Sequence, residues 1–270
     1  MYDKLSESER AEFVKNYYDV KEGNKKYATS PDSNLRELEI NFILNNIHGH
    51  NILDMGCGNG YTLFRIAEKI SGTLIGIDFS SEMIKGANLL INEFKKSIKS
   101  RPIFYEGDAT TYTPPKDSEP IDTVITERFL LNLPNEEMQY KVIKNIHTIL
   151  KPGGTYVMIE GTKDGLGILN NVRKIAGLDP ILDRDKQNLS SLKFNDSKLE
   201  NFLINLFNII DVKTFDLYYL ISRVIYPAFI RPEEPKFDHM INTLARELDQ
   251  VINFSSKGIG HVKGYILKKK

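Results

Sequence analysis

The sequence predicts a doubly wound α/β fold, and three observations support this prediction. Short apolar runs alternate with helical patterns between residues 50 and 160, five of these runs resemble strands buried on both faces, and glycine-rich segments join strand to helix. Parallel strands need connecting helices, and those helices cover both faces of the sheet. We therefore expect a mostly parallel sheet with helices on each side.

The strands are expected, in chain order, in HNILDMG, GTLIGID, PIFYEGD, IDTVIT and TYVMIE. Helical patterns occupy YTLFRIAEKI, residues 80–98 and residues 135–150. Ser80 or Ser81 is the expected N-cap of the second of these helices, because a hydroxyl there can accept a hydrogen bond from the first turn. The runs IIDVKTFDLYYLIS and HVKGYILK predict two further strands.

Three segments lie outside this alternation and are expected to cover the site. Residues 1–48 hold two helical patterns and predict an N-terminal helical cap on a domain spanning 49–270. Helical lid insertions are expected near 162–195 and 227–258, since both are long for simple connections.

Composition excludes several classes of protein. Lys plus Arg and Asp plus Glu both number 36, so there is no net positive charge to attract nucleic acid. The single cysteine, Cys57, excludes an internal disulfide and a multi-cysteine metal cluster, and fits a reducing compartment. With no signal-like or membrane-spanning run, we expect a cytoplasmic protein with no membrane partner and no metal. The composition does not indicate an oligomeric state.

The segment LDMGCGNG lies between a predicted strand and a helix, where α/β folds bind ligands. Contacts are expected from Gly56, Cys57, Gly58 and Gly60. Tyr61 occupies the place of the third glycine of a dinucleotide-binding motif, and the negative charge of Asp54 suits a cationic ligand better than a phosphate. The charge pattern therefore favours S-adenosylmethionine.

Two further acidic residues end successive strands, where one ligand lying across the sheet would meet them. Asp78 can accept both hydroxyls of a ribose, and Asp108, with the backbone of Ala109, can bind the amine of an adenine. Phe79 and Met83 are expected to sandwich the adenine ring.

These motifs resemble those of the class I S-adenosylmethionine-dependent methyltransferases, over residues 48–162, in LDMGCGNG, GIDFS, EGDAT, IDTVITERFLLNLP and ILKPGGTYVMIE. The resemblance implies a seven-stranded Rossmann-like sheet with an antiparallel last strand. It also implies glycine-loop, ribose and adenine contacts at the residues named above. The N-terminal YYDVKEGNKKY is similar to a capping helix of small-molecule members. Candidate cap contacts to the cofactor are Tyr17, Tyr18, Tyr27 and Arg36.

The residues that would bind the methyl acceptor are harder to predict, because an activated methyl group needs mainly positioning. Glu127 is expected to contact the cofactor or the acceptor, and Glu127 and His239 are the candidates for a general base. Acceptor contacts are expected from Arg128, Glu160, Arg223 and Tyr226.

A small polar acceptor is the favoured substrate, since no nucleic-acid module is evident in the sequence. The residues after strand four also lack the Pro-Pro-aromatic turn that is typical of methyltransferases acting on amino groups of adenine or glutamine. The segment GTKDGLGILNNVRKIAGL resembles methyltransferases of bacterial surface-glycan pathways, and this resemblance favours O-methylation of a sugar, sugar nucleotide or related metabolite. The alternatives are N-methylation of a small amine, an NAD-linked oxidoreductase and a silent cofactor-binding protein.

Overall fold

A seven-stranded sheet organises the residues that the computed structural model describes, namely 5–21, 23–115, 117–183, 190–252, 254 and 258–270. The strands are β1 Asn51–Met55, β2 Thr73–Asp78, β3 Ile103–Glu106, β4 Ile121–Glu127, β5 Leu150–Gly161, β6 Phe207–Thr214 and β7 Val262–Lys269. Their order is β3-β2-β1-β4-β5-β7-β6, and β7 runs antiparallel to both β5 and β6. The predicted doubly wound sheet with an antiparallel last strand is confirmed.

Helices cover both faces of this sheet. They are α1 Glu7–Asp19, α2 Ser33–Asn46, α3 Tyr61–Ala67, α4 Ser81–Phe94, α5 Glu136–Ile149, α6 Lys163–Ile175, α7 Asp196–Leu203, α8 Asp216–Leu220, α9 Tyr226–Ile230 and α10 Met240–Val251. Alternation along β1 puts Ile52 in one apolar layer and Leu53 and Met55 in the other. The first layer includes side chains of α2, α3 and α4, and the second includes those of α5 and α7.

The prediction of a strand through residues 209–222 is wrong beyond Thr214. Strand β6 ends there, and α8 continues through a π-helical turn, Ile221–Ile225, into α9. The carboxylate of Asp249, on α10, accepts hydrogen bonds from the backbone N–H groups of Leu217 and Tyr218, both at 3.1 Å. These bonds satisfy free donors in the first turn of α8, so a distant helix supplies the cap that the local sequence lacks.

Ser80, rather than Ser81, is the N-cap of α4. Its hydroxyl accepts a hydrogen bond from Met83 N at 3.2 Å and donates one to Asp19 Oδ1 at 2.6 Å, so it also fixes the end of α1.

We expect Ser80→Ala to lower the free energy of unfolding by about 1 kcal/mol, because the cap is lost. Urea denaturation measures this change. Ser81→Ala, one residue further on, is the matched control and should change stability by less than about 0.5 kcal/mol. Equal effects in the two variants would contradict the assignment of the cap.

Among the described residues, no helix combines the length and apolar character that crossing a membrane requires.

Candidate active site

The loop after β1 brings the predicted glycines to the carboxyl edge of the sheet. Gly56, Gly58 and Gly60 have φ angles of +76°, +54° and +72°. Residues that have a Cβ atom rarely adopt this region of backbone conformation. Backbone N–H groups of Gly56 and Cys57 donate to Ile77 O at 2.8 and 3.0 Å, which ties the loop to β2. The thiol of Cys57 is buried, and burial raises its pKa, so its part in the loop is through its backbone.

Asp78 joins this loop to the start of α4. Its carboxylate accepts hydrogen bonds from Gly58 N at 2.8 Å and Ser80 N at 3.0 Å. Burial raises the pKa of Asp78 to about 6, while these N–H groups oppose that rise. Phe79 is half-buried beside it, whereas Met83 is completely buried.

Asp108 lies at the neighbouring strand end, as the sequence predicts. The backbone N–H of Gly107 donates to Asp78 O at 2.9 Å, so the ends of β2 and β3 are held together. Asp108 is exposed, and its two oxygens accept hydrogen bonds from the backbone and hydroxyl of Thr110, both at 2.8 Å. Ala109, the next residue, is buried.

Asp54 is a buried acid near the end of β1, and its Oδ1 atom has no hydrogen-bond partner among the described residues. Burial raises its pKa to about 8, with Glu127 adding to the rise and Arg36 opposing it. A buried carboxyl oxygen without a partner is costly unless a ligand satisfies it. Asp54 therefore fits a site for a ligand that carries a positive charge or a hydrogen-bond donor.

Residues 17–21 and 23–32, here called the strap, lie across this loop. Asp19 contacts Ser80, and Asn59 Nδ2 donates to Lys25 O at 2.7 Å. A Cβ atom built on Gly86 would be 2.3 Å from the carbonyl carbon of Gly23, so the strap touches α4 directly. The strap therefore lies against both the glycine loop and α4.

The tyrosines predicted as cap contacts occupy two different places in the structure. Tyr18 faces the site, where its hydroxyl accepts a hydrogen bond from Asn132 at 3.1 Å and burial raises its pKa to about 12. Tyr17 packs edge-on against Tyr18, at 5.2 Å between ring centroids. Tyr27 instead donates to Glu37 Oε1 at 2.9 Å and packs on the ring of Tyr61.

Arg36 and Glu127 form a buried ion pair beside the glycine loop. Arg36 Nη1 lies 2.5 Å from Glu127 Oε1, and Arg36 Nη2 donates to Thr62 Oγ1 at 2.9 Å. The same hydroxyl donates to Glu127 Oε2 at 2.7 Å. The geometry therefore joins two predicted residues through Thr62, which the sequence motifs do not single out.

A second charged cluster surrounds Arg128, which follows β4 with a φ of +53°. Its guanidinium lies 3.1 Å from Glu39 Oε2 and donates to Ser30 Oγ at 3.3 Å. Arg223 pairs with Asp32, whose carboxylate also accepts a hydrogen bond from Tyr218 at 2.6 Å. Both predicted arginines are thus held by acids that sequence reasoning missed.

Glu160 supports the backbone of the site. It is fully buried, and its oxygens accept hydrogen bonds from the N–H groups of Phe129, Leu130 and Leu131 at 3.2, 2.9 and 3.1 Å. Burial raises its pKa to about 7, and these bonds oppose the rise. In the structure Glu160 therefore fixes the turn after β4, a role different from the predicted acceptor contact.

Tyr226, the first residue of α9, and His239, the N-cap of α10, lie together. Their rings are stacked at 4.7 Å between centroids, and His239 is exposed, with its Nδ1 accepting a hydrogen bond from Ile241 N at 3.2 Å. The hydroxyl of Tyr226 accepts a hydrogen bond from Lys236 N at 3.4 Å. These contacts join the two residues to each other and to the segment between α9 and α10, rather than to the charged clusters.

Comparison with known proteins supports the interpretation of residues 47–177, which match a family model described as a methyltransferase domain. Demethylmenaquinone methyltransferase from Lactococcus lactis is 35% identical over 128 residues, which cover 46% of this chain and 47% of that protein. The chain thus matches about half the length of this relative.

Two solved structures share the fold over nearly the whole chain. Magnesium protoporphyrin IX methyltransferase from Synechocystis PCC 6803, with bound SAM, superposes with a TM-score of 0.59 at 12% identity, covering 97% of each chain. The cyclopropane synthase MmaA2 from Mycobacterium tuberculosis gives 0.62 at 14% identity, covering 96% of this chain and 98% of that one. The predicted methyltransferase fold is confirmed, and the predicted cofactor agrees with the family match.

Proposed function

We propose that this protein transfers a methyl group from S-adenosylmethionine to a small polar acceptor, since residues 47–177 match a family model described as a methyltransferase domain. One observation carries the proposal. Three features meet at one edge of the sheet: the positive-φ glycine loop, the Asp78 carboxylate bound to Gly58 N, and Oδ1 of Asp54, for which the described ranges contain no hydrogen-bond partner. Together they match a ligand with an adenosine at one end and an ammonium at the other.

The residues present fit this cofactor. Asp78 would hold the ribose, Asp108 and Ala109 the adenine edge, and Phe79 the adenine face. Met83, which the sequence predicts for that face, has no exposed surface to offer it. Asp54 would meet the ammonium group. Arg36, which Glu127 and Thr62 hold beside the glycine loop, would meet the carboxylate. When bound, the cofactor supplies an activated methyl group, so the protein's own work is to orient the acceptor and exclude water.

For the acceptor we keep the class that the sequence predicts, which is a small polar molecule. Two partly buried arginines, Arg128 and Arg223, support an acceptor with an anionic group, such as a sugar nucleotide. O-methylation of a sugar or related surface-glycan precursor, in the cytoplasm, is our sequence-based hypothesis. A quinone-like acceptor is a second candidate, and the 35% identity to demethylmenaquinone methyltransferase favours it.

Calorimetric titration with S-adenosylmethionine, S-adenosylhomocysteine, NAD and NADP tests the proposal. We expect the first two to bind and the dinucleotides not to bind. Binding of NAD or NADP alone would replace the proposal with an oxidoreductase. If S-adenosylmethionine binds, transfer of a labelled methyl group to sugar nucleotides, amines and reduced quinones distinguishes the acceptors. Transfer to none of them would favour a silent cofactor-binding protein.

We further expect the affinity for S-adenosylmethionine to rise with pH between about 6 and 8. In the free protein, burial raises the pKa of Asp54 to about 8 and that of Asp78 to about 6. A cation beside Asp54 favours the ionised carboxylate, so binding releases a proton and strengthens as pH rises. As the pH falls below the pKa of each carboxyl group, the Kd for S-adenosylmethionine should rise by at most about tenfold per pH unit.

Calorimetry in two buffers of different ionisation enthalpy counts the released protons. Asp54→Asn preserves the shape of the side chain but cannot ionise, so it should remove the release near pH 7. An unchanged release in this variant would exclude contact between Asp54 and the cationic group.

A further inference from the structure

Glu39, on α2, is a fully buried acid beside the end of β4. Its Oε2 atom lies 3.1 Å from the guanidinium of Arg128. Its Oε1 atom has no hydrogen-bond partner among the described residues. A buried carboxylate oxygen without a donor is costly, so Glu39 fits a ligand group that donates a hydrogen bond to it.

The hydroxyl of Tyr219, on α8, is a second buried polar group without a partner in the described part of the chain. Burial raises the pKa of this phenol, so the hydroxyl keeps its proton and can donate a hydrogen bond. The charges of Arg128 and Asp32 act on both Tyr219 and Glu39. The phenol and the carboxyl group therefore lie in the same region of the protein.

Both groups are held in place. The ring of Tyr219 packs edge-on against the ring of His261, at 5.1 Å between centroids, and a Cβ atom built on Gly260 would be 2.4 Å from it. Glu39 is fixed by its ion pair with Arg128. Buried polar atoms normally find a partner, and these two do not bond to each other. One ligand group that bonds to both would satisfy both.

Arg128 connects this region to solvent. Its side chain is 23% exposed, whereas that of Glu39 beside it is fully buried. Arg128 also donates a hydrogen bond at 3.3 Å to Ser30, which belongs to the strap. A movement of the strap would therefore open an approach to Glu39 along the side of Arg128.

A hydroxyl group can bond to both atoms and still react. Its hydrogen donates to Oε1 of Glu39, one lone pair of its oxygen accepts from Tyr219, and the second lone pair is free to attack a methyl carbon. A neutral amine has one lone pair, which the methyl group takes, so the hydroxyl of Tyr219 would keep no partner. The two unpartnered atoms therefore favour oxygen over nitrogen as the atom methylated.

We propose that Glu39 is the general base for methylation of an acceptor hydroxyl, whose oxygen Tyr219 holds by a donated hydrogen bond. Burial raises the pKa of Glu39 although Arg128 opposes the rise, so this carboxylate is a stronger base than an exposed one. Glu127, the strand-end candidate for a base, already holds Arg36 and Thr62 with its two oxygens. The inference rests on the proposed methyl transfer and assigns the atom that is methylated.

The step balances without a further reactant. The acceptor oxygen forms a bond to the methyl carbon, and the carbon–sulfur bond breaks with its electron pair remaining on sulfur as a neutral thioether. The hydroxyl proton passes to Oε1 of Glu39 and from there to water once the products leave.

The first test identifies the atom that receives the methyl group. The protein is incubated with S-adenosylmethionine labelled with ¹³C in its methyl group and, in separate reactions, with UDP-glucose, UDP-glucosamine, phenol, aniline and naphthohydroquinone. The chemical shift of the transferred carbon distinguishes methyl groups on oxygen, nitrogen and carbon. We expect methyl groups on oxygen alone. Transfer to nitrogen or carbon, or to none of the probes, would overturn the inference.

The second test follows a single turnover of the preformed complex with S-adenosylmethionine, so neither cofactor binding nor product release contributes to the rate. In the wild type the rate should rise with pH through neutrality, as Glu39 loses its proton. The other charged or titratable groups near Glu39 are Arg36, Asp32, Glu127, Arg128 and Tyr219. Glu39→Gln should lower the rate by about 10²-fold or more and remove its rise with pH.

Asp122→Asn, at the opposite edge of the sheet, is the matched control for Glu39→Gln and should keep both the rate and its rise with pH. Calorimetry should give both variants a Kd for S-adenosylmethionine within about threefold of the wild type. A rate that Glu39→Gln retains would defeat this inference alone. A wild type that fails to bind S-adenosylmethionine would instead defeat the proposed function.

Tyr219→Phe separates a role toward the acceptor from a role in packing. The variant removes a buried hydroxyl that has no partner, so the free energy of unfolding should stay the same or rise. The single-turnover rate should still fall by about 10-fold or more, because the acceptor oxygen loses its donor. A variant that loses stability, or one that keeps the rate, would contradict the role given to Tyr219.

Discussion

Replacing Asp78 by alanine should weaken binding of S-adenosylmethionine by about 1.5–3 kcal/mol, or about 10- to 150-fold in Kd. The variant loses the two hydrogen bonds expected from the ribose hydroxyls. It also releases the N–H groups of Gly58 and Ser80, which the carboxylate now holds at 2.8 and 3.0 Å. Isothermal titration measures the change.

Asp122→Ala is the matched control for this variant. The Asp122 carboxylate also accepts two backbone hydrogen bonds, from His50 N and Asn51 N at 2.7 and 2.9 Å, but at the amino end of β4. The control should lose stability and keep its affinity for the cofactor. If Asp78→Ala binds as tightly as the control, the ribose assignment fails.

Gly60→Ala is expected to lower the free energy of unfolding by about 2–5 kcal/mol. The left-handed backbone, with φ at +72°, costs a residue with a Cβ about 1–2 kcal/mol. The added carbon would lie 2.4 Å from the ring of Phe104, and relieving such an overlap costs about 1–3 kcal/mol more.

Gly153→Ala separates the two contributions to this loss. Gly153 has a similar φ of +67°, and a Cβ there would meet no atom within 4 Å. Urea denaturation should show only the backbone cost of about 1–2 kcal/mol for that variant. Equal losses at the two positions would mean that Phe104 moves aside freely.

The part of the site that could be predicted from the sequence depends on short-range contacts. Gly58 follows β1 and Asp78 ends β2, and the pairing of parallel neighbours brings such strand ends together. The N-cap of α4 is equally local, since Ser80 binds a residue three positions away. Motifs that span a few residues contain this information.

The rest of the site depends on contacts between segments that are far apart in the sequence. Glu39 is on α2, yet it pairs with Arg128 after β4, and no local pattern gives the position of α2 over the sheet. The sequence of residues 216–222 resembles a strand, but these residues form a helix whose first turn is capped by Asp249, on α10. Tyr219 and His261 meet only once that helix and the start of β7 are packed together.

The strap has a consequence for the rate of turnover. It touches the glycine loop through Asn59 and Lys25, and reaches Arg128 through Ser30, at 2.7 and 3.3 Å. One segment therefore contacts both the glycine loop and Arg128. Under the proposed function, a movement of this segment would precede the release of either product. We expect the residence times of thioether and methylated product to rise and fall together, so that a conformational step common to both limits the steady-state rate.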